Sequence, residues 1–395
     1  MTIYLDHAAT TPLRPEVLEV MLPLLTQGYG NPSSPHSVGR RARSALDEAH
    51  EDVARSIGAD AREMVFTSGG TEAINLAVKG AAWAGKATGN RIVTSGVEHH
   101  AVLNACSHLE KFGFEVVRLP VDRYGRVDPD ELGAALTEKT VLVSLQLANN
   151  EVGTVQPIAD LVARVRAQST ALIHLDAVQG LAWLDVDVRT LGVDLLSMAG
   201  HKIEGPKGIG ALWLRRGTAI LTQLHGGSQE RYRRAGTENV AGAVGLARAL
   251  TMAVEERAVT GEAVSRRRDA LRDAMVALPG VEITGHPRQR LANHISVVVR
   301  DVEGAALVMT LDLEGLCCST GSACTTGSLE PSHVLTAMAF PADEARGALR
   351  LSLGRTTSDA DVAAAIPRLV GAVERLRSGS AALTADALDA LGMQA

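Results

Sequence analysis

Along the first two thirds of the chain, short apolar runs rich in β-branched residues alternate with longer stretches of helical period. Arg91–Thr94 (RIVT), Glu115–Leu119 (EVVRL), Thr140–Leu147 (TVLVSLQL), Ala171–Asp176 (ALIHLD) and Leu195–Met198 (LLSM) have the length and composition of buried strands. Between them, Thr71–Ala84, Ala101–Lys111, Asp130–Leu136 and Ile158–Gln168 are predicted to be helices. Alternation of this kind predicts a parallel sheet covered by helices, an α/β architecture. A long helical stretch, about Val240–Leu278, leads into a region of different character. There Ile295–Val299, Gly315–Ser319 and Ala348–Leu353 suggest a smaller sheet with flanking helices.

A chain of 395 residues is long for one core, so two domains are expected. The change of pattern puts a large domain at 15–257 and a small α+β domain at 1–14 and 258–395. The tail after Ser378, rich in Ala and Leu with few anchors, is expected to be a loosely held or frayed helix. The formal charge of −6 argues against a nucleic-acid binder, which would carry a basic excess. No apolar run approaches the roughly 18–20 residues that span a bilayer, so no membrane association is expected. Met1–Asp6 enters an apolar strand without the basic and apolar regions of a signal peptide, which points to a cytoplasmic protein.

Polar residues gather where the predicted strands end. Ser197–Gly210 (SMAGHKIEGPKGIG) places Lys202 beside His201 ahead of glycine-rich turns. A nucleotide loop needs Gly-Lys-Ser/Thr, and Gly205 is followed by Pro206 and Lys207, so that reading fails. In Leu175–Gln179 (LDAVQ) a buried strand closes on Asp176, a carboxylate costly to bury without a cation. The pyridinium nitrogen of pyridoxal phosphate is such a cation; a helix N-cap is the plainer alternative. Thr67–Ala77 (TSGGTEAINLA) brings Gly69 and Gly70 to the start of a helix, where exposed amides bind phosphate. Thr71 could also cap that helix unaided, but a cap does not explain both glycines. Val97–Ala101 (VEHHA) offers His99 for stacking on a planar cofactor or for proton transfer, and no third ligand is spaced to make His99 and His100 a metal site. Asn149–Gly153 (NNEVG) ends a further strand with two amides. Ligands of open parallel sheets bind at the carboxyl ends of the strands, and these clusters all fall there.

On these residues, with Tyr4–Pro12 (YLDHAATTP), Gly30–His36 (GNPSSPH) and Leu349–Arg355 (LRLSLGR), the chain resembles the cysteine desulfurases of the NifS/IscS type. These are fold-type-I pyridoxal-phosphate enzymes of the class V aminotransferase family, and the resemblance covers nearly the whole chain except the tail. It implies that Lys202 carries pyridoxal 5'-phosphate, that His99 stacks on its ring, and that Asp176 and Gln179 bind the ring nitrogen and hydroxyl. Gly70, Thr71 and His201 match phosphate-binding positions, and Asn150 an amide near cofactor and substrate. Thr237, in Arg233–Asn239 (RRAGTEN), matches a phosphate contact supplied across a homodimer. Arg350 resembles the arginine that holds the carboxylate of the substrate, L-cysteine. The chain departs from the pattern at His7, where many members have Asn or Tyr, and at Ala199, where some have a phosphate-binding Ser.

Four cysteines in a chain of this size do not make a disulfide framework. Cys106 stands alone and is expected to be a small buried hydrophobe. Cys317, Cys318 and Cys324 lie close together, yet no fourth ligand is placed to make a metal site from this chain alone. Cys317 and Cys318 end a predicted strand, so at least one should point into the core. Cys324 sits among Gly321, Ser322, Thr325, Thr326 and Gly327, a composition that suits an exposed loop and a reactive thiol. Ser319–Ser328 resembles the active loop of the first desulfurase group. That resemblance implies that Lys202 takes the Cα proton of L-cysteine and that the Cys324 thiolate attacks the substrate sulfur, leaving alanine and a persulfide. The sulfur then passes to an acceptor protein, such as an iron–sulfur scaffold, with Cys324 a candidate ligand to a cluster shared with it. Selenocysteine lyase, or another aminotransferase-like enzyme on the same scaffold, is the alternative.

Overall fold

The computed structural model describes residues 2–321 and 331–379. Its strands, in chain order, are β1 (Ile3–Tyr4), β2 (Met64–Thr67), β3 (Arg91–Ser95), β4 (Glu115–Leu119), β5 (Thr140–Gln146), β6 (Leu172–Asp176), β7 (Leu195–Ala199), β8 (Gly210–Leu214), β9 (Val281–Ile283), β10 (His294–Val299), β11 (Leu316–Cys317) and β12 (Ala348–Ser352). Packing divides the described residues into two compact units. One takes in 10–150 and 154–259; the other takes in those of 1–9, 151–153 and 260–395.

The first unit is built on a seven-stranded sheet in the order β2-β8-β7-β6-β5-β3-β4. Strands β3 to β7 pair in parallel; β8 alone runs against its neighbours β7 and β2. The sheet is mainly parallel, as the sequence pattern predicts, with β8 the exception. Residues 200–209 turn the chain straight back from β7 to β8, and a parallel return would have needed a crossover of a dozen or more residues. Since β2 and β7 both oppose β8, the strands β2, β3, β5, β6 and β7 all end at one edge.

Adjacent residues along these strands feed opposite faces. Val93, Val143, Leu196 and Ala211 join a core with Leu161, Val165, Leu246 and Leu250. Their neighbours Ile92, Leu142, Leu195 and Leu212 join the core under the helix Gly70–Gly85. Both faces are therefore covered, every residue of β5 and β7 is buried, and the strands read as continuous apolar runs rather than alternating ones. The helices His100–Glu110, Pro129–Ala135 and Ile158–Gln168 form at the predicted places.

In the second unit β10 is the middle of an antiparallel sheet ordered β12-β10-β9. The expected strand Gly315–Ser319 is shorter, Leu316–Cys317, and pairs in parallel with Ile3–Tyr4 instead of joining that sheet. Helices Gly304–Leu313 and Asp359–Gly379 complete the unit. The predicted long helix is one continuous element, Val240–Val276. Among the described residues no helix is long and apolar enough to cross a membrane. The tail after Ser378, expected to be a loosely held or frayed helix, lies from residue 380 onward outside the described residues.

Candidate active site

The carboxyl edge of the large sheet collects most of the polar residues singled out above. β6 ends in Asp176, buried, whose Oδ1 accepts the Val178 amide at 3.0 Å. That is a local turn, not a helix cap. Burial pushes its carboxyl up to about 6, while the Val178 amide and the Lys202 charge act in the opposite direction. Lys202 ends the short 3-10 turn Gly200–Lys202 that follows the neighbouring strand β7. Gln179 lies in the turn after β6.

His99 stands between β3 and the helix His100–Glu110, with its Nδ1 accepting the Ala101 amide at 3.1 Å. Its loop is held by Val97, whose carbonyl accepts the side-chain amides of Gln146 (2.8 Å) and Asn149 (2.9 Å) at the end of β5. The His99 loop and the residues leading to Asn150 are thus fastened to each other. Beside His99, Glu98 is fully buried and takes the Ser95 hydroxyl at 2.6 Å. Burial pushes its carboxyl up to about 8; the Ser95 bond lowers it, and the nearby Asp176 charge raises it further.

The helix Gly70–Gly85 begins without a side-chain cap: Gly69 holds the cap position, and Thr71 is inside the first turn. The alternative of a Thr71 cap is not realised, and no side chain caps the first amides of this helix, where an anion would bind. A Cβ at Gly70 would lie 3.0 Å from Val178 and 3.3 Å from Ala199, so this helix start is pressed against the ends of β6 and β7. His201 is drawn to the same edge by Thr10, whose Oγ1 is 3.2 Å from Nδ1, and its carbonyl accepts the Thr11 amide and hydroxyl at 2.9 Å each. Burial, with help from Lys202 and Lys207, lowers its imidazole to about 4, so it is neutral at pH 7. Thr237 is exposed in the coil before Val240; the preceding Arg234 is fixed by Glu72 at 2.8 Å.

The second unit holds Arg350, in the middle of β12 and buried to 2% exposure. Its guanidinium donates to Asp6 at 2.7 Å, and its backbone exchanges hydrogen bonds with Ser319 (2.7 and 3.2 Å). Glu151 belongs to this unit too and is buried at 4% exposure. The predicted Cys324 lies outside the described residues.

Several comparisons bear on what such an edge does. Residues 3–364 match the model of the aminotransferase class-V family. The chain is 47% identical to a protein of Methanosarcina thermophila named cysteine desulfurase IscS, over 96% of this chain and 93% of that one. A solved structure titled NifS-like protein superposes with a TM-score of 0.89 at 37% identity, covering 95% of this chain and 99% of the other. Another, titled SspA in complex with cysteine, superposes at 0.79 with 33% identity, over 90% and 100%.

The chain belongs to the class-V aminotransferase family, among its cysteine desulfurases. As a member it is a pyridoxal-phosphate enzyme, and the edge of the large sheet fits that group. A desulfurase of this family needs a cationic ring nitrogen to be met by an anion, and Asp176 is a buried anion at the right edge. It needs a phosphate cradle, and the uncapped, glycine-led helix start has the amides such a group would bind. The absent hydroxyl at Ala199 is no obstacle to backbone amides. Sequence reasoning missed Glu98, Glu151 and Asp6; each is a carboxylate in an apolar or strand-adjacent context, and only that context was available as a signal.

This desulfurase has three described cysteines, and all are poor thiolates. Burial pushes Cys106 and Cys318 each to about 12, and burial with Asp312 raises Cys317. Cys106 is wholly buried, as its isolated position suggested, whereas Cys317 and Cys318 are both only partly buried, so neither strand-end cysteine is sealed in the core.

Proposed function

We propose that this desulfurase converts L-cysteine to L-alanine and delivers the sulfur, through a persulfide on Cys324, to an acceptor protein for iron–sulfur cluster assembly or other thiolation. The observation that carries the reading is the placement of buried Asp176 at the end of β6 and Lys202 just after β7, the strand paired with it, beside an uncapped helix start. In this reading Lys202 holds the cofactor, Asp176 and Gln179 bind its ring, and His99 stacks on it. Gly70, Thr71 and His201 take the phosphate, with Asn150 beside the ring, while Thr237 serves the second subunit of a homodimer. The chemistry the cofactor supplies when bound is an electron sink for charge developing at the substrate carbon.

Lys202, as a free amine, moves the proton at Cα, with His99 a second proton carrier. Arg350 holds the substrate carboxylate, for which its bond to Asp6 must be shared or exchanged. The Cys324 thiolate attacks the substrate sulfur: an S–S bond forms, the substrate C–S bond breaks with its electrons retained on carbon, and protonation gives alanine. No external oxidant is required. The raised thiols of Cys106, Cys317 and Cys318 support Cys324 as the nucleophile. We read 15–257 as the cofactor domain and 1–14 with 258–395 as the domain that carries the sulfur away, in a soluble cytoplasmic enzyme.

The test is alanine release from L-cysteine by the purified holoenzyme with a thiol reductant present. Cys324→Ala is expected to lose at least 100-fold in rate while Cys318→Ala loses less than threefold. A Cys324→Ala enzyme with full turnover overturns the persulfide assignment. Competition with L-selenocysteine settles substrate choice.

A further inference from the structure

Two carboxylates tie the start of the helix Gly70–Gly85 to the segment 228–236, distant in sequence but in the same unit. The first is Glu230, which is buried. Its Oε2 lies 3.0 Å from His50 Nε2 and accepts the amide of Phe66, on β2, at 3.1 Å. Glu230, Arg231 and Tyr232 all adopt left-handed backbone, with φ of 46°, 56° and 64°. Such backbone is unfavourable for residues other than glycine and persists only where its surroundings impose it. Here they include the Glu230 contacts, the Arg233 guanidinium donating to the Arg62 carbonyl at 2.9 Å, and the Ala235 amide donating to the Leu224 carbonyl at 3.2 Å. Arg234 lies between the last two of these ties.

The second carboxylate is Glu72, in the first turn of the helix. Its Oε2 accepts the Ser68 amide at 2.7 Å, which closes the turn that carries Gly69 and Gly70. Arg234 meets it with two nitrogens, Nε at 2.8 Å from Oε1 and Nη2 at 3.3 Å from Oε2. The two side chains are only 21% and 19% exposed, so this is not a solvated surface pair. Burial works against the Glu72 charge, but Arg234 and the Ser68 amide outweigh it and hold the carboxyl below its ordinary value. Glu72 is therefore an anion at pH 7, within one turn of the amides read above as the phosphate site.

A side-chain anion and a phosphate at one helix N-terminus draw on the same amides and the same dipole, and they repel each other. With its charge uncompensated, Glu72 would weaken phosphate binding at Gly70 and Thr71 even without moving. A guanidinium that takes both carboxylate oxygens cancels that charge and fixes the direction in which the group points. We propose that Arg234 is a positioning residue for cofactor loading: it holds Glu72 in a neutral pair, so that the helix start at Gly70 is left to the phosphate. The inference rests on the reading of that helix start as the phosphate site. If the role is charge cancellation, removing both charges restores what removing Arg234 alone destroys. If Arg234 binds phosphate itself, or only braces its segment, the second substitution restores nothing.

The experiment uses the full chain stripped of cofactor and compares equilibrium binding of pyridoxal 5'-phosphate with that of pyridoxal, which has the ring and lacks the phosphate. Arg234→Gln is expected to weaken pyridoxal phosphate about 10-fold or more, with pyridoxal within about threefold of the parent. Glu72→Gln keeps an oxygen for the Ser68 amide and should bind both within about threefold of the parent. The double variant, Glu72→Gln with Arg234→Gln, should return to within about threefold of Glu72→Gln alone. The proposal is overturned if the double variant stays as weak as Arg234→Gln, or if Arg234→Gln loses pyridoxal and pyridoxal phosphate alike. It is also overturned if Arg234→Gln binds pyridoxal phosphate as the parent does, and Thr71→Val then tells how far the failure reaches. A Thr71→Val chain weakened for pyridoxal phosphate alone leaves the phosphate site standing; one that binds like the parent removes that reading as well.

Discussion

In the cofactor-free chain the Asp176 carboxyl is buried, and burial moves its pKa from 3.8 to about 6 despite the Val178 amide and the Lys202 charge. A carboxyl that binds its proton more tightly folded than unfolded favours the folded state only while protonated. Stability is therefore lost as the pH climbs from about 4 to about 6, and the deficit is complete above that window. At about 1.4 kcal/mol per pKa unit, the rise corresponds to about 3 kcal/mol at pH 8. Asp176→Asn keeps an oxygen for the Val178 amide and removes the buried charge. The cofactor-free variant should thus resist urea better than the cofactor-free parent at pH 8, by up to about 3 kcal/mol, with the advantage gone near pH 4. The loaded enzymes should show the opposite order, because the variant has lost the anion that meets the ring nitrogen and should hold cofactor at least 100-fold more weakly. The assay is urea unfolding of stripped and loaded protein, followed by tryptophan fluorescence at both pH values. A cofactor-free Asn variant that is less stable than the parent at pH 8 would show that burial does not dominate the Asp176 charge over the Val178 amide and Lys202, and the assignment of the ring nitrogen as its missing partner would fall with it.

Further outcomes follow from the same sites. Lys202→Ala should remove the visible absorbance of the protein-linked cofactor and alanine production together; a variant that is yellow as purified and that borohydride bleaches with the cofactor left covalently attached would refute the assignment. Glu98→Gln should flatten the loss of cofactor-free stability between about pH 5 and 8, because burial holds the Glu98 carboxyl up to about 8 and the amide cannot titrate; urea midpoints across that range are the readout. His174 spans the Ser144 and Ser197 hydroxyls at 2.8 Å each in the sheet core, and His174→Leu should cost about 2–4 kcal/mol at pH 7 by leaving both without a partner, measured by the same unfolding. Gly354→Ala places a methyl 2.1 Å from the ring of His7, and an expected loss of about 1–3 kcal/mol should be largely recovered by His7→Ala in the double variant.

Periodicity and strand-end chemistry made most of the large unit readable in advance. β3 to β7 are buried on both faces, so their apolar runs are unbroken and stand out. Residues at strand ends in a parallel sheet must share one edge, so His99, Asn150, Asp176 and Lys202 could be grouped from the sequence before any distance was known. The antiparallel β8 was not readable, because its direction is set by the shortness of 200–209 and not by its composition. Nor was the capping of the helix at Gly70: Thr71 has the composition of a cap, but the chain enters the helix one residue earlier, at Gly70. Tertiary structure alone decided where Glu151 belongs. By sequence it is one residue past Asn150 on a strand end of the large unit, but the excursion at 151–153 packs it with Gly321, Ser332 and Arg350, more than 160 positions away. A carboxylate becomes a buried anchor through what surrounds it, and those surroundings come from segments that no local pattern links. The chemistry of each residue was therefore legible from the chain, while the partners that give it a pKa, a fixed position and a task exist only in the fold.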